Sequence, residues 1–190
     1  TQMITKGLDF KQVTLVGVLS ADNFLHFPDF RAHERAFQVL TQVAGRAGRL
    51  GDESKVLIQT FQPQHPVLSF VSNYDYASFY ELQIRQREQF GYPPNMRLMR
   101  VELKHKNMST LITASAWLKK GLVVRFSHVL GPVAPAVGRV RNYYILHLLI
   151  KLPLDASQSA AKKRLSDLLK SFGMVGAFNQ VYTSIDVDPQ

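Results

Sequence analysis

A near-continuous run of apolar and β-branched residues near the start constrains the fold more than any other feature. Residues 13–19 read Val-Thr-Leu-Val-Gly-Val-Leu, a pattern typical of a strand covered on both faces in a parallel sheet. Lys55 to Phe61 is a second candidate strand. A strand, a helix and a strand in this order predict an α/β layer. The helix is indicated by apolar residues at helical spacing, namely Ala36, Phe37, Leu40, Val43, Ala44 and Ala47.

The net charge of the chain is confined to its second half. Residues 1–92 hold nine Lys or Arg and nine Asp or Glu, whereas residues 93–190 hold fourteen and five, which accounts for the whole net charge of +9. Pro93 and Pro94 end a helical, aromatic stretch. We therefore predict two domains, residues 1–92 and residues 93–190, the second facing nucleic acid or an acidic peptide. A basic surface that serves only solubility is the plainer alternative.

The second half alternates between strand and helix patterns. Residues 100–104 alternate as in a half-buried strand, and residues 111–122 read as an amphipathic helix. A rigid loop at residues 131–135 leads into a single long strand over residues 140–152. The last helix is expected to begin at an Asp155 cap, followed by a closing strand. This order predicts a small α+β fold with helices on one face of the sheet.

Composition excludes several kinds of site. The chain has no cysteine, which rules out disulfides and thiolate metal ligands within these residues and fits a reducing cytoplasm. Its six histidines show no metal-ligand spacing, so we predict no metal site. No apolar stretch reaches the roughly 18 residues of a membrane-spanning helix, so we predict no membrane contact. The start has neither a signal-peptide core nor an initiator methionine, and we expect a chain cut from a longer protein.

Residues 42–49, Gln-Val-Ala-Gly-Arg-Ala-Gly-Arg, carry the strongest chemical signal. On a helix, Gln42, Arg46 and Arg49 stand at i, i+4 and i+7 and share the face opposite the apolar stripe. Guanidinium groups pair with phosphate oxygens and neutralise charge that develops during phosphoryl transfer. We predict catalytic roles for these three residues, and a cofactor-binding role for Gly45, where the backbone can approach a ligand closely. A cationic, solvated helix end is the alternative.

The same eight residues resemble the last conserved motif, Q-x-x-G-R-x-G-R, of superfamily 2 nucleic-acid helicases. The arginines of that motif reach the γ-phosphate of ATP bound by the other motor lobe. Residues 1–10 resemble the fifth motif of these helicases without its leading glycine. The resemblance implies that Gly7 lets the backbone approach a phosphate and that Asp9 binds a ribose hydroxyl or a lobe-closing arginine. It also implies that Thr1 and Lys6 contact DNA.

Further segments are similar to the C-terminal part of the PriA family of bacterial primosomal replication-restart helicases. These segments are Pro28–Ala32, Glu34-Arg35, Tyr92–Pro94, Gly131–Pro135 and Ile185–Pro189. The resemblance extends over essentially the whole chain. It implies part of a RecA-like helicase lobe 2 followed by a basic α+β domain similar to ribosomal protein S10. It further implies a cytoplasmic, ATP-dependent 3′-to-5′ DNA helicase that binds abandoned forks and reloads the replicative helicase.

The cofactors and partners of the complete protein follow from the same resemblance. They are ATP, magnesium, zinc in a cysteine-rich region that these residues lack, forked and single-stranded DNA, the acidic tail of single-stranded DNA-binding protein, and other primosome proteins. The chain has no phosphate loop and no Asp-Glu-x-His motif, so we predict no ATP hydrolysis by these residues alone. Two alternatives stay open: a non-enzymatic adaptor that binds nucleic acid or an acidic tail, and another superfamily 2 repair or branch-migration helicase.

Two basic clusters in the second half are candidates for contacts with these partners. Arg139, Arg141 and Tyr143 combine cationic and aromatic groups on a strand, the pairing that holds a single-stranded backbone and stacks its bases. Packing of Tyr143 and Tyr144 into the core is the alternative. The second cluster, a candidate for an acidic peptide or for a merely solvated helix face, consists of Lys162, Lys163 and Arg164.

Overall fold

The computed structural model describes residues 14–47 and 55–189, and it describes residues 46 and 47 by their backbone alone. The chain divides into two compact units, Thr1–Gln86 and Arg87–Gln190. Both contain helices and strands, so the fold is mixed α/β. The predicted division into domains of residues 1–92 and 93–190 stays a prediction. Within the described ranges, no helix combines the length and the apolar character that crossing a membrane requires.

The first unit contains the predicted strand–helix–strand crossover. Its elements are β1 (Leu15–Val18), α1 (Asp22–Leu25), α2 (Ala32–Ala47), β2 (Lys55–Ile58), α3 (Pro66–Ser72) and the greater part of α4 (Tyr76–Phe90). The two strands pair in parallel, with Leu15 opposite Lys55 and Val18 opposite Ile58. Asp22 links the segments that follow β1 and β2. Its carboxylate accepts hydrogen bonds from the Thr60 hydroxyl at 2.9 Å and the Phe61 amide at 3.1 Å.

The core of the first unit lies where α2 packs on one face of this sheet. Leu40 is fully buried there, and Phe37 stacks on Phe79 with ring centroids 4.4 Å apart. Leu15 and Leu57, in contrast, are 56% and 61% exposed. Within the described residues, one face of the first strand is therefore uncovered, which differs from the expectation of a strand covered on both faces. Alternation along the strands turns these two leucines away from the helix, and α2 covers only the other face.

The second unit is an antiparallel sheet with two helices. Its elements are β3 (Met96–His105), α5 (Met108–Val123), β4 (His128–Val133), β5 (Arg139–Val140), β6 (Tyr143–Pro153), α6 (Gln158–Gly173) and β7 (Tyr182–Val187). The strand order is β4-β6-β3-β7, and β5 pairs with β6. Val101 and Leu148 on the strands share one core cluster with Leu118 on α5 and Leu165 on α6. Both helices therefore pack on the same face of the sheet, as predicted.

Three boundaries differ from the sequence prediction. The strand expected over residues 140–152 is a hairpin, because Arg141 and Asn142 adopt left-handed φ values of 46° and 67° and turn the chain between β5 and β6. The expected loop at residues 131–135 begins inside β4, where the register shifts between Leu130 and Val133.

The third difference concerns the start of α6. We expected an Asp155 cap, whereas Ser157 occupies the N-cap and its hydroxyl accepts a hydrogen bond from the Ala160 amide at 3.3 Å. Both residue types are good N-caps. The helix therefore begins two residues later than expected, and it buries Ala161 and Leu165.

Candidate nucleic-acid interface

The predicted arginine motif lies partly on α2 and partly outside the described residues. Gln42 and Gly45 are exposed on α2, whereas Val43 between them is buried. A Cβ built on Gly45 would meet nothing within 4 Å, so the space beside this residue is open in the described structure. Arg46 belongs to α2 by its backbone alone. The other residues predicted for catalysis, cofactor and DNA contacts in this half lie outside the described residues; they are Arg49, Thr1, Lys6, Gly7 and Asp9.

Among the candidates in the second unit, Tyr143 lies on the sheet face that α5 and α6 leave uncovered, which we call the open face. Residues directly opposed in antiparallel strands share a face. The register therefore places Lys104, Ile145 and Tyr182 in one row across β6, β3 and β7, on the side opposite Leu103 and the core. Lys104 and Tyr182 are thus neighbours on the open face.

Two tyrosines and two lysines meet at one end of this face. The Tyr143 and Tyr182 rings pack edge to face, with centroids 5.7 Å apart and an angle of 74° between the ring planes. The Lys106 ammonium lies 5.6 Å from the centroid of Tyr143. Tyr182 is 63% exposed although it is held by this contact. Together with Arg141 in the adjoining turn, these residues form a basic–aromatic corner: Lys104, Lys106, Arg141, Tyr143 and Tyr182.

The structure separates Arg139 from Tyr143, which the sequence analysis placed in one cluster. The Arg139 guanidinium lies 4.8 Å from the centroid of Tyr144 and donates a hydrogen bond to the Asn142 side chain at 3.3 Å. Tyr144 packs against the core, so it points to the opposite face from Tyr143. Arg141 is exposed, and it makes no hydrogen bond or ion pair within the described part of the chain.

The centre of the open face is a network around one carboxylate. Glu102 accepts hydrogen bonds from Lys104 at 2.7 Å, His147 at 3.0 Å and Ser184 at 3.3 Å. Partial burial raises the pKa of Glu102, but the bonds from Lys104 and His147 and their charges outweigh this effect, so that the net pKa is lowered. The carboxylate is therefore ionised and compensated, which leaves little negative potential to repel an anionic ligand.

Asp186 on β7 and Asp188 just beyond it also have structural partners. Asp186 pairs with Arg100 at 2.6 Å, and Asp188 accepts a hydrogen bond from the Leu98 amide at 3.2 Å. Across residues 14–47 and 55–189, no group of three or more His, Cys, Asp or Glu residues is arranged to hold a metal ion.

The basic run on α6 points away from the core. Ala161 and Leu165 are buried on the inner side of the helix, and the residues between them are exposed. In the described structure the three basic side chains form no hydrogen bond or ion pair. These residues, whose role in peptide binding stays a prediction, are Lys162, Lys163 and Arg164.

Lys104, Lys106 and Tyr182 are site residues that the sequence analysis did not name. They come from separate segments, and only the register of β3 with β6 and β7 brings them to Tyr143. One signal was available, because Tyr182 alternates with the inward-facing residues of the closing strand. That alternation places Tyr182 on the outer face, although it does not show which residue lies beside it.

Comparison with known proteins agrees with this division of the chain. The family described as "Primosomal protein N C-terminal domain" matches residues 88–190. The chain is 38% identical to the replication restart protein PriA of Synechocystis sp., 39% identical to that of Bacillus subtilis and 38% identical to that of Treponema pallidum. Each alignment covers 100% of this chain and 22%, 24% or 28% of the relative, respectively.

The chain thus spans about a quarter of the length of these relatives. The matched family domain begins two residues beyond the end of the first compact unit and contains the open face, its basic–aromatic corner and both helices. Since this domain accounts for more than half of the chain, the chain belongs to the PriA, or primosomal protein N, family.

Proposed function

We propose that this chain is part of a bacterial, cytoplasmic, ATP-dependent 3′-to-5′ DNA helicase that restarts stalled replication forks, and that its second unit binds DNA. The names of the relatives support a role in replication restart. The observation that carries DNA binding is the basic–aromatic corner on an uncovered sheet face. Its Lys106 and Arg141 have no carboxylate partner in the described structure, so their charges are available to phosphate groups.

The charge distribution supports the same proposal. The excess of nine positive charges in residues 93–190 attracts a polyanion and raises its rate of association. Each lysine or arginine that neutralises a phosphate releases condensed counterions, so the affinity falls as salt rises. Neutral contacts to the bases would give no such dependence.

Binding of the complete 190-residue chain to a labelled oligothymidine at increasing salt tests this proposal. Replacing both Lys106 and Arg141 with Ala should flatten the plot of log K against log salt by about 1.4, since each lost contact to single-stranded DNA contributes about 0.7. Lys120→Ala is the matched control, because Lys120 is exposed on α5, on the other side of the sheet. Binding that does not depend on salt, or no binding, would reject the proposal.

A second proposed role concerns ATP turnover. The position of Gln42, Gly45 and Arg46 on the crossover helix α2, with the first two exposed, supports arginine fingers that act on ATP bound by another lobe. In the complete protein, Arg46→Ala and Arg49→Ala should each abolish DNA-stimulated ATP hydrolysis and leave DNA binding nearly unchanged. Retained turnover would reject the role. The chain alone should not hydrolyse ATP, because it has no phosphate loop to hold the nucleotide and magnesium.

The proposed fold assignments are finer than the mixed α/β architecture. The parallel β1–α2–β2 crossover is what part of a RecA-like lobe 2 requires, and the antiparallel sheet with two helices on one face agrees with an S10-like domain. A crystal structure of the complete protein tests both. A first unit that does not continue into a larger parallel sheet would reject the lobe.

An acidic peptide tail, such as that of single-stranded DNA-binding protein, is the proposed partner of the exposed basic run on α6. Replacing Lys162 and Lys163 with Glu should abolish binding of an acidic peptide to the chain, whereas Lys120→Glu on α5 should have a much smaller effect. Equal losses in the two variants would indicate that only the overall charge matters. An adaptor that binds DNA or this tail without any motor function is the rival proposal, and the ATPase experiment above distinguishes the two.

A further inference from the structure

We propose that Tyr182, supported by Tyr143, is a stacking site for an unpaired nucleotide base. The basic–aromatic corner would then bind single-stranded DNA through both bases and phosphates. This inference rests on the proposed DNA binding, and it identifies the form of DNA that the corner selects. It concerns a residue of the closing strand, Tyr182, that the sequence analysis did not assign to any site.

The exposure of Tyr182 is the first argument. The ring is 63% exposed on β7, an edge strand, and the described structure has no helix or loop that covers it. A tyrosine ring that stays in water forgoes much of the stabilisation that burial of its apolar surface would give. The contact with Tyr143 fixes the orientation of the ring and leaves surface free. A ring held in this way loses little conformational entropy when a base stacks on it.

The positions of the cations are the second argument. Lys104 lies directly opposite Tyr182 in the β3–β7 register, and Lys106 lies beside the ring of Tyr143. Each of the two tyrosine rings thus has a lysine beside it, on β3 or just beyond the end of that strand. Single-stranded nucleic-acid sites combine these two features, a cationic path for the backbone and rings on which successive bases stack.

The state of the nearby carboxylates is the third argument. Glu102 accepts three hydrogen bonds and Asp186 is paired with Arg100. Glu102 and Asp186 therefore have cationic partners, Asp188 just beyond β7 accepts a hydrogen bond from the Leu98 amide, and Lys106 has no carboxylate partner in the described structure. An acidic peptide has no bases to use the rings, so the aromatic pair favours a nucleic acid over a peptide as the occupant.

Selection of single strands follows from the geometry of stacking. In a duplex, the faces of the bases are already covered by their neighbours, so a ring on a flat sheet surface can reach a base only when the base is unstacked. Duplex DNA would still meet the lysines through its phosphates. The corner should therefore bind both forms, with the stacking contribution restricted to the unpaired one.

Two DNA probes with the same number of phosphates distinguish the contribution of base stacking to affinity from that of phosphate contacts. One is a labelled oligothymidine of about ten nucleotides, and the other is an abasic oligonucleotide of equal length. We expect the complete chain to bind the oligothymidine at least about fivefold more tightly than the abasic strand, since one base–aromatic stack contributes at least about 1 kcal/mol. The abasic strand should show the same salt dependence as the oligothymidine.

Substitutions at Tyr182 identify the ring. Tyr182→Phe keeps the aromatic face and should preserve the preference for oligothymidine, whereas Tyr182→Ile keeps strand propensity without a ring and should reduce the preference to about one. Tyr143→Ile should weaken the preference as well, because the support of the Tyr182 ring is lost. Tyr80→Ile is the control, since it removes a comparably exposed tyrosine from α4.

The outcomes distinguish this inference from the function on which it rests. If neither strand binds, the proposed DNA binding fails. If both strands bind equally and with the same salt dependence, DNA binding stands and base stacking is rejected. If Tyr182→Ile binds like the unchanged chain and retains its preference, the stacking residue is not Tyr182 and the inference is wrong.

Discussion

Glu102 is the residue that organises the open face, because it is the shared acceptor for donors on three strands. Replacing Glu102 with Gln keeps the size of the side chain and removes its charge. We expect the free energy of unfolding of the second unit at pH 7 to fall by about 1–2 kcal/mol, since hydrogen bonds to charged groups contribute more than neutral ones but solvent screens this half-buried site. Trp117, the single tryptophan, reports the loss through its fluorescence, because it packs against Phe172 and Phe178 in the core.

The loss of stability in the Gln variant should depend on pH in a definite direction. Because the pKa of Glu102 is lowered on folding, the folded state binds fewer protons than the unfolded state near that pKa. The contribution of Glu102 is therefore fully present above the ordinary value of 4.5 and is lost as the pH falls through the lowered value. The difference between the Gln variant and the unchanged chain should shrink over that range. Asp167→Asn, in an exposed pair with Lys170, is the control and should change stability by less than about 0.5 kcal/mol.

Gly131 is required by backbone geometry in the bulged strand β4. Its φ is +96°, and a Cβ at this position would lie 2.5 Å from the carbonyl oxygen of His147 and 3.3 Å from the Cα of Leu148. Both are backbone atoms of β6 and cannot move aside singly. Gly131→Ala should therefore reduce the free energy of unfolding by at least about 2 kcal/mol in urea titrations followed at Trp117. A loss of less than about 0.5 kcal/mol would show that the bulge can relax.

Gly173, at the end of α6, is the matched control for Gly131. A Cβ there would meet nothing within 4 Å, and its φ is not in the left-handed region. Alanine is a better helix former than glycine by up to about 1 kcal/mol. Gly173→Ala should thus leave the second unit equally stable or stabilise it slightly, which separates the effect of backbone strain from that of adding a methyl group.

At the scale of elements, three histidines meet where α1, α2 and α3 come together. The ring of His65 lies 5.1 Å from that of His33 and 6.2 Å from that of His26, measured between centroids. Burial is the main cause that lowers the pKa of His33, and the charge of His26 adds to it. Burial also lowers the pKa of His65, followed by the charges of His33 and His26, against an opposing effect of Asp22.

Titration by NMR of the imidazole nitrogens tests this junction directly. We expect titration midpoints below 6.5 for His33 and His65. In neutral His65 the proton should be on Nε2, because Nδ1 accepts a hydrogen bond from the Val67 amide. The folded state resists protonation, so stability of the first unit is fully present above about pH 6.5 and falls as the pH drops through the lowered values. His26→Asn should raise both midpoints. A midpoint of 6.5 or higher in the unchanged chain would contradict the prediction.

Elements with a strong period could be predicted from the sequence, and those fixed by single residues could not. The apolar spacing on α2 holds in the structure because it repeats over several residues. The alternation on β7 correctly assigns its residues to two faces, although all six residues of that strand are exposed. The turn at Arg141 and Asn142 interrupts a stretch whose alternation otherwise continues, and neither residue is the glycine that commonly marks such a hairpin. The cluster of Tyr143, Tyr182 and Lys106 depends on strand register, which is a long-range property.

At the scale of the whole molecule, the two units differ in electrostatic character. Residues 1–92, which include the whole first unit, carry no net charge, whereas residues 93–190, which lie within the second unit, carry +9. An arginine motif that contacts one nucleotide needs only local charge, whereas contact with a nucleic-acid backbone gains from a field that extends over a whole surface. The distribution of charge is thus consistent with different ligands for the two halves, and it was available from the sequence because it requires no knowledge of register.

The two cores share no residue, which leads to a prediction about how the chain unfolds. One core cluster extends from Val18 to Phe79 along the chain and the other from Met99 to Val181. If each unit is stabilised mainly by its own cluster, a cavity in one should leave the other nearly unaffected, because distant substitutions act independently. Trp117 fluorescence reports the second unit alone, and far-ultraviolet circular dichroism reports the helices of both.

Leu40 and Leu118, each 0% exposed, offer a matched pair of cavities. Leu118→Ala should lower the free energy of unfolding measured at Trp117 by about 2–5 kcal/mol. Leu40→Ala should change the free energy of unfolding measured at Trp117 by less than about 0.5 kcal/mol. It should instead lower the denaturant concentration at which the first unit unfolds, which is seen in the circular dichroism signal and not in the fluorescence of Trp117. Equal shifts of both signals in both variants would mean that the chain unfolds as one cooperative body, and the division into two folding domains would then be wrong.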